Sequence, residues 1–475
     1  MEIAMKKNDM IMLSIDSLTG SGQGIGRLQT EGGDKGLAVF VKDTVPGDVI
    51  RAKIIKIKSS YVVAKLEEIL TPSPDRITPR CPAARACGGC QLQMMNYEAQ
   101  KKYKRQAVAD VLERVGGFAP GSFRVEEVKG MEQPWNYRNK AQYPVGTDRA
   151  GRPVAGFYAG HTHSIIPAGD CYIGAPSDTP IRSAILSWME EYGISAYSET
   201  TREGLIRHIY IRTGFVSGEI LVMLVANAAK LPHEPELISA LRSISHFPEG
   251  GPANPHIAGI LLNTNTRDTN VILGEKCRIL WGKDYLEDSI GSVRYRISWQ
   301  SFYQVNPYAT RILYDTVLQF ANLTGNETVW DIYCGIGTIS LFLAREARWV
   351  YGVEIVPEAI RNARANAALN GLANTTFFAG KAEEVLPAQY EREGIRADVM
   401  VVDPPRKGCQ EAVLQTMLRA RPQRIVYVSC DPGTLARDLK MLRMGGYRLE
   451  KVQPVDMFPQ TANIECVAMM VMNRD

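Results

Sequence analysis

Cys430 closes an apolar run, Tyr427-Val428-Ser429-Cys430, and is followed by Asp431-Pro432 and a helix expected to begin near Gly433 or Thr434. A cysteine in an apolar segment is ordinarily a small hydrophobe, and that description suits Cys277, Cys334, Cys409 and Cys466. Cys430 instead sits at a strand's carboxyl end among polar residues, ahead of a helix amino terminus, where a thiolate is stabilised. The neighbouring carboxylate of Asp431 is expected to work against this. The chemistry open to such a thiolate is nucleophilic addition. A pyrimidine is one target that requires it: carbon 5 of uracil is too weak a nucleophile to accept a methyl group until a thiolate has added at carbon 6. A base must then remove the hydrogen from carbon 5.

Two further groups end apolar strands in the same part of the chain. Asp331-Ile332-Tyr333-Cys334-Gly335-Ile336-Gly337-Thr338 carries a Gly-x-Gly where a strand turns into a helix, and Glu354 ends the next strand. Glycines there let the backbone approach a ligand, and a carboxylate at the second strand end can accept both hydroxyls of a ribose. The full G-x-G-x-x-G is missing, so a dinucleotide site is not indicated, and a Gly-x-Gly by itself is equally a tight turn. In Asp403-Pro404-Pro405-Arg406 the prolines stop a third strand and hold Asp403 at its end. Near the front, Cys81-x5-Cys87-x2-Cys90 with Gly88-Gly89 has the tight spacing of a metal centre. Four thiolates would complete either a zinc site or an iron–sulfur cluster, and spacing does not choose between them.

These side chains require a scaffold, and the pattern of the chain supplies one. From about Ser301 strands and helices alternate. Asn306-Pro307 caps a helix running through Phe320, and strands are expected at 328–332, 349–353, 398–402 and 424–428. This is the signature of an α/β, doubly wound, Rossmann-like domain, expected over residues 301–475, whose ligands lie at the carboxyl ends of the strands. Residues 9–70 read as a small OB-like β-barrel. Runs at 11–15, 37–41, 49–57 and 61–66 are separated by turn signals at 20–26, 32–36 and 46–47. A mixed α+β central domain is expected over 75–300, with a helix from Tyr97 to Arg114 and strands at 206–212 and 219–225.

Composition bounds the rest. The 475 residues, 45% hydrophobic and 22% charged, are those of a multidomain globular protein. The net charge of +4 favours an anionic partner only weakly, but Thr71 to Lys140 carries twelve Lys/Arg against seven Asp/Glu. Neither a signal peptide nor an apolar stretch of membrane-spanning length is evident, so a cytoplasmic address without a membrane partner is expected. The nine cysteines, an odd number with no secretion signal, point to metal binding or catalysis rather than disulfides.

Together these motifs resemble the RNA uracil-C5 methyltransferase family, in its branch with an amino-terminal TRAM domain and a four-cysteine iron–sulfur cluster. Gly22–Arg27, Phe40-Val41 and Val45-Pro46-Gly47-Asp48 are similar to the TRAM barrel, and Ser301-Phe302-Tyr303-Gln304-Val305-Asn306 to the opening of the methyltransferase domain. The resemblance implies S-adenosylmethionine as cofactor, with contacts from Gln304, Tyr333, Glu354 and Asp403. It implies Cys430 as nucleophile, Glu465 as proton acceptor, and a [4Fe–4S] cluster on Cys81, Cys87, Cys90 and Cys171. The family often has Asn where Thr338 stands, so no contact is assigned to that residue. Many members read Pro-His-Val-Glu where this chain has Ala462-Asn463-Ile464-Glu465, which keeps the carboxylate but lacks the histidine.

The partner implied is RNA, with the protein acting as a monomer. Family members act on 23S ribosomal RNA or the T-loop of transfer RNA, and the TRAM domain with the cluster cysteines favours 23S rRNA. Trp135-Asn136-Tyr137-Arg138-Asn139-Lys140 interleaves aromatic and basic groups and suits base stacking and phosphate contact as well as it suits a surface hairpin. Arg138 is its leading candidate for an RNA contact. Two rivals remain: an amino-group methyltransferase acting on adenine or guanine in RNA, whose Asp-Pro-Pro motif would place an aromatic where Arg406 stands, and an RNA-binding factor with an inactive methyltransferase domain.

Overall fold

The computed structural model describes residues 5–28, 36–160, 162, 164–167 and 169–473. Five strands, Met10–Leu18, Gly24–Arg27, Ala38–Val41, Val49–Ile57 and Tyr61–Thr71, close into a barrel. Alternation along them sends Leu13, Ile15, Val39, Val41, Ile50, Ala52, Ile54, Val62 and Ala64 inward. The turn expected over 20–26 is a strand in its second half. Gly24 and Gly26 are there because a Cβ would collide with the Thr44 side chain and with Leu13 and the Ser14 carbonyl, respectively. Except for Gly36, the turn expected over 32–36 lies outside the described residues. Asp48, fully buried, ties the barrel to the cysteine segment. It accepts bonds from Val45 N (2.6 Å), Ser73 N (2.9 Å) and the Arg76 guanidinium (2.6 Å).

A seven-stranded sheet occupies the middle of the chain, with the antiparallel pair Ile206–Thr213 and Glu219–Ala226 at its centre. The helix Tyr97–Arg114 starts on Asn96, whose side chain accepts from Ala99 N. It does not pack on that sheet. Its Val108 and Leu112 join Leu435, Leu439 and Leu442 on the carboxyl-terminal sheet, and Arg124–Val125 pairs with Tyr447–Val455 as that sheet's edge strand. Residues from the middle of the chain are therefore built into the carboxyl-terminal layer.

That layer is an eight-stranded sheet. Its order is Thr375–Ala379, Trp349–Glu354, Thr328–Ile332, Val399–Val402, Arg424–Ser429, Glu465–Met472, Tyr447–Val455, Arg124–Val125. The first five strands are parallel, and Glu465–Met472 runs antiparallel to both its neighbours. Both faces are covered: Val329, Val399, Val401 and Val426 enter one apolar core, while Trp330, Met400, Val402 and Ile425 enter the other. This explains why the strands read as continuous apolar runs. Strand order reverses beside Thr328–Ile332, which opens a crevice between its carboxyl end and that of Val399–Val402. Asn306 caps the helix Pro307–Ala321 with its side chain accepting from Ala309 N. Among the described residues no helix is long and apolar enough to cross a membrane.

Candidate active site

Every strand end singled out in the sequence delivers its side chain to one cavity of about 740 Å³, lined by Gln304, Tyr333, Glu354, Asp403, Cys430 and Glu465. Its size is that of a small-molecule site. Cys430 follows the strand Arg424–Ser429 directly. Asp431 is the cap of the helix Pro432–Met444, its Oδ1 accepting from Gly433 N (2.8 Å) and Thr434 N (3.1 Å). The helix thus starts at Pro432, earlier than expected, and the Asp431 carboxylate is turned to the helix amino end rather than against the thiol. Glu465 opens the neighbouring antiparallel strand. The register pairs Ser429 with Cys466, so Cys430 and Glu465 are the next residues across.

Cofactor-side residues come from the other strand ends. Tyr333 has a left-handed backbone (φ 67°), as do Gly335 and Gly337, and Tyr333 N and Cys334 N donate to Val353 O. Tyr333 pays for that conformation with strain of about 1–3 kcal/mol, of the kind that clusters at functional sites. Glu354 accepts from Val356 N at 3.0 Å, which holds its carboxylate at the strand end. Gln304 is 6% exposed, and its carbonyl accepts from Asn139 Nδ2.

The cavity is electrostatically unsettled. Burial pushes the Cys430 thiol up to about 11, reinforced by Glu465 and Asp403 and opposed by Arg406. Burial pushes Asp403 up to about 7. Burial and then the charge of Asp403 hold Glu465 well above the ordinary carboxylate range, against Arg406. Asp331 rises to about 7, again chiefly through burial. Glu465 Oε2 and Asp331 Oδ1 are buried without a hydrogen-bond partner. Such partnerless atoms on a cavity wall fit a site that receives a polar ligand.

Sequence reasoning missed several residues of the wall. Arg406 is the cation beside both Cys430 and Glu465, and its position directly after Asp-Pro-Pro was the available signal. Asp331, Phe302, Phe458 and Asn463 also line the cavity. Phe458 and Asn463 come from a connection whose course has no local sequence signal.

A second cavity, of about 400 Å³, is lined by Cys81, Cys87, Cys90 and Cys171, brought together from two distant segments. All four are free thiols. Burial pushes Cys90 up to about 12, with Gln93 opposing and the other three cysteines reinforcing. Among the described residues, no three His, Cys, Asp or Glu side chains are gathered for a single ion. Arg138 lies on the walls of both cavities. The Trp135 and Tyr172 rings flank the Arg80 guanidinium at 5.4 and 4.8 Å.

Comparison with known proteins gives this architecture a family. Residues 261–473 match the tRNA (uracil-5-)-methyltransferase family model, and residues 8–66 match the TRAM domain. An uncharacterized RNA methyltransferase of Halalkalibacterium halodurans is 47% identical over 466 residues, covering 98% of each chain. One of Listeria monocytogenes is 46% identical over 469 residues, covering 99% of each. Among solved structures, the Pyrococcus abyssi tRNA (uracil-54, C5)-methyltransferase in complex with S-adenosyl-L-homocysteine superposes with a TM-score of 0.75 at 26% identity. That match covers 97% of this chain and 100% of the other. With its barrel, its doubly wound sheet and relatives matched end to end, the chain belongs to the RNA uracil-C5 methyltransferase family.

Proposed function

We propose that this protein transfers a methyl group from S-adenosylmethionine to carbon 5 of a uridine in RNA, with Cys430 as nucleophile and Glu465 as base. The observation that carries the reading is the placement of Cys430 and Glu465 side by side across two antiparallel strands, on the wall of a cavity shared with Gln304, Tyr333, Glu354 and Asp403. When bound, S-adenosylmethionine supplies an electrophilic methyl group. Glu354 stands where a ribose is held by its hydroxyls. Gln304, Tyr333 and Asp403 complete the cofactor side.

On the substrate side the Cys430 thiol gives up its proton to solvent, and the thiolate adds to carbon 6 of the uracil, displacing the ring's π electrons toward carbon 5 and oxygen 4. Carbon 5 then takes the methyl group. Glu465 accepts the proton from carbon 5, the 5,6 double bond re-forms, and Cys430 leaves as thiolate. Arg406 offsets the negative charge that Asp403 and Glu465 place around the sulfur. A base stacked in folded RNA cannot reach the sulfur, so the target nucleotide has to be flipped or splayed. Arg138, on the cavity wall, is positioned to meet it.

The resemblance supports a [4Fe–4S] cluster held by Cys81, Cys87, Cys90 and Cys171. The four free thiols line one cavity of about 400 Å³, a donor set of the right chemistry and number. Methyl transfer moves no net electrons, so the cluster would serve structure or RNA contact. An absorbance spectrum after anaerobic purification separates it from zinc.

For the substrate we hold 23S ribosomal RNA, supported by the resemblance that joins a TRAM barrel to four cysteines, with action in the cytoplasm by a monomer. The second reading is a transfer RNA T-loop, which the activity named for the Pyrococcus abyssi enzyme favours. Mapping 5-methyluridine in ribosomal and transfer RNA with and without the protein decides between them. Loss of the mark from neither RNA overturns the function.

A further inference from the structure

Residues 456–463 link the strands Tyr447–Val455 and Glu465–Met472, and they place Phe458 and Asn463, beside Glu465, on the wall of the catalytic cavity. Their strongest side-chain anchors lie more than three hundred residues earlier in the chain. Lys104 Nζ donates to Asp456 Oδ1 at 2.7 Å and to Phe458 O at 3.1 Å, with both charged side chains fully buried. Tyr137 Oη donates to Pro459 O at 2.9 Å. Gln100 and Gln460 form a reciprocal pair: Gln460 N donates to Gln100 Oε1 (3.0 Å), and Gln100 Nε2 donates to Gln460 Oε1 (3.0 Å). Gln91, directly after Cys90, completes the clamp. Gln91 N and Leu92 N both donate to Gln460 O, and Gln91 Oε1 accepts from Ala462 N at 3.3 Å.

Gln460 is the centre of this arrangement. It is 2% exposed and left-handed (φ 71°), a conformation that costs a residue with a Cβ and persists only where the surroundings over-determine it. Gln100 is 1% exposed, and its amide is fully occupied, donating also to Leu92 O and Met95 O. The two backbone acceptors hold the Gln100 amide in place without Gln460, whereas Gln460 uses Gln100 for both its main-chain N–H and its side-chain oxygen, so the order runs from position 100 to position 460. The clamp grips the connection five residues before Glu465, whereas Cys430 is followed directly by the helix cap at Asp431.

We propose that Gln100 and Gln460 are positioning residues for the proton-abstraction step: by locking the 456–463 connection they hold Glu465 against carbon 5, while nucleophilic attack by Cys430 proceeds without them. This rests on the proposed role of Glu465. It makes a residue at position 100, beside the cysteine segment, part of the control of a carboxylate at position 465.

Substrate chemistry provides a test that separates the two steps. RNA with 5-fluorouridine at the target forms a covalent adduct through Cys430 attack and methyl transfer, but carries no proton for Glu465 to remove. Full-length, cluster-loaded Gln100→Ala and Gln460→Ala are expected to lose about 10–100-fold in kcat on ordinary RNA, the cost of a misplaced catalytic group. Their KM values and their rates of adduct formation on 5-fluorouridine RNA should stay within about threefold of the parent protein. Gln460→Asn keeps a side-chain amide and tolerates the left-handed backbone, and is expected to recover most of kcat. Should the buried variants fail to fold, Gln91→Ala removes the Ala462 bond and a bond to Gly88 O from a partly exposed side chain and should show the same split at about threefold. Adduct formation that falls in step with turnover, or turnover that is unchanged in all variants, overturns the proposal. Full turnover on ordinary RNA by Glu465→Gln would instead overturn the reading on which it rests.

Discussion

A buried acid at the foot of the barrel and the acids of the catalytic cavity are treated in opposite ways. Asp48 is matched, receiving Arg76 and two backbone N–H groups, whereas Asp456, near the cavity, receives Lys104 on one oxygen and has no partner for the other. In the cavity Asp331, Asp403, Glu465 and Cys430 lie together, with Arg406 as the cation that opposes the charge on the last two, and two of their oxygens have no partner. At Asp48 burial acts to raise the carboxyl, but the bonds from Arg76, Ser73 N and Val45 N win and hold it below its ordinary value. At Asp403 burial has no such opponent. Matching stabilises the fold, whereas the unmatched set is costly in the empty protein and available to a ligand.

The comparison breaks most sharply at Cys430. Cys430→Ala should lower methyl transfer by at least about 10⁴-fold and abolish the 5-fluorouridine adduct, since Cys334, the other thiol on the wall, is buried and held protonated. Gel-shift of denatured protein with labelled RNA reads the adduct directly. Methylation that survives this substitution would end the thiolate reading and revive the amino-group alternative. Glu465→Gln comes next, with turnover down by about 10²–10⁴-fold. Because attack and methyl transfer precede its step, the variant should accumulate a covalent complex on ordinary RNA.

How much of this was legible follows from the kind of signal each residue carries. Glu354, Asp403 and Cys430 were placed at a ligand-binding sheet edge because apolar strands end visibly where a carboxylate, a Pro-Pro or a polar turn begins. The barrel was legible for the same reason, apart from Gly24–Arg27, where glycines mark close approach to Thr44, Leu13 and Ser14 rather than a turn. Glu465 and Cys171 came from the family likeness, as nothing beside them distinguishes them from other residues of their type. Gln100 and Gln460 were invisible: they meet across 360 positions, and no local period reports such a contact. Arg406 was in view but unassigned, since its meaning depends on which side chains face it.

pH tests the cavity as a unit. Glu465 has to be ionised to accept a proton, and its carboxyl is raised, while Asp403 is raised to about 7. The value of kcat/KM for RNA should therefore fall with decreasing pH along a limb that lies well above the ordinary carboxylate range, by up to about tenfold per unit for one required ionisation. A limb near the ordinary carboxylate value of about 4 would show that the acids are matched in solution after all. Single-turnover measurements across the range give the limb without interference from product release.

Stability should separate the two regions by sign. Asp48 is lowered in the folded state, so its contribution is present above the unfolded value of about 4 and is lost as pH falls through the folded value. Asp48→Asn should destabilise at pH 8 by about 3 kcal/mol, the cost of stranding a buried partner. Asp403 is raised, so the folded state holds its proton more tightly, and its contribution is full below about 4 and lost as pH rises through about 7. At pH 8 an ionised Asp403 therefore weighs against folding, and Asp403→Asn should stabilise the ligand-free protein by about 1–2 kcal/mol once solvent reaching the cavity is discounted. At pH 5, where the native carboxyl is neutral and only the unfolded one is ionised, that gain should shrink to well under half. Thermal unfolding of both variants at the two pH values measures the four numbers. Equal signs for Asp48→Asn and Asp403→Asn at pH 8 would mean that the cavity acid is matched like the barrel acid, and the contrast between fold and site would fail.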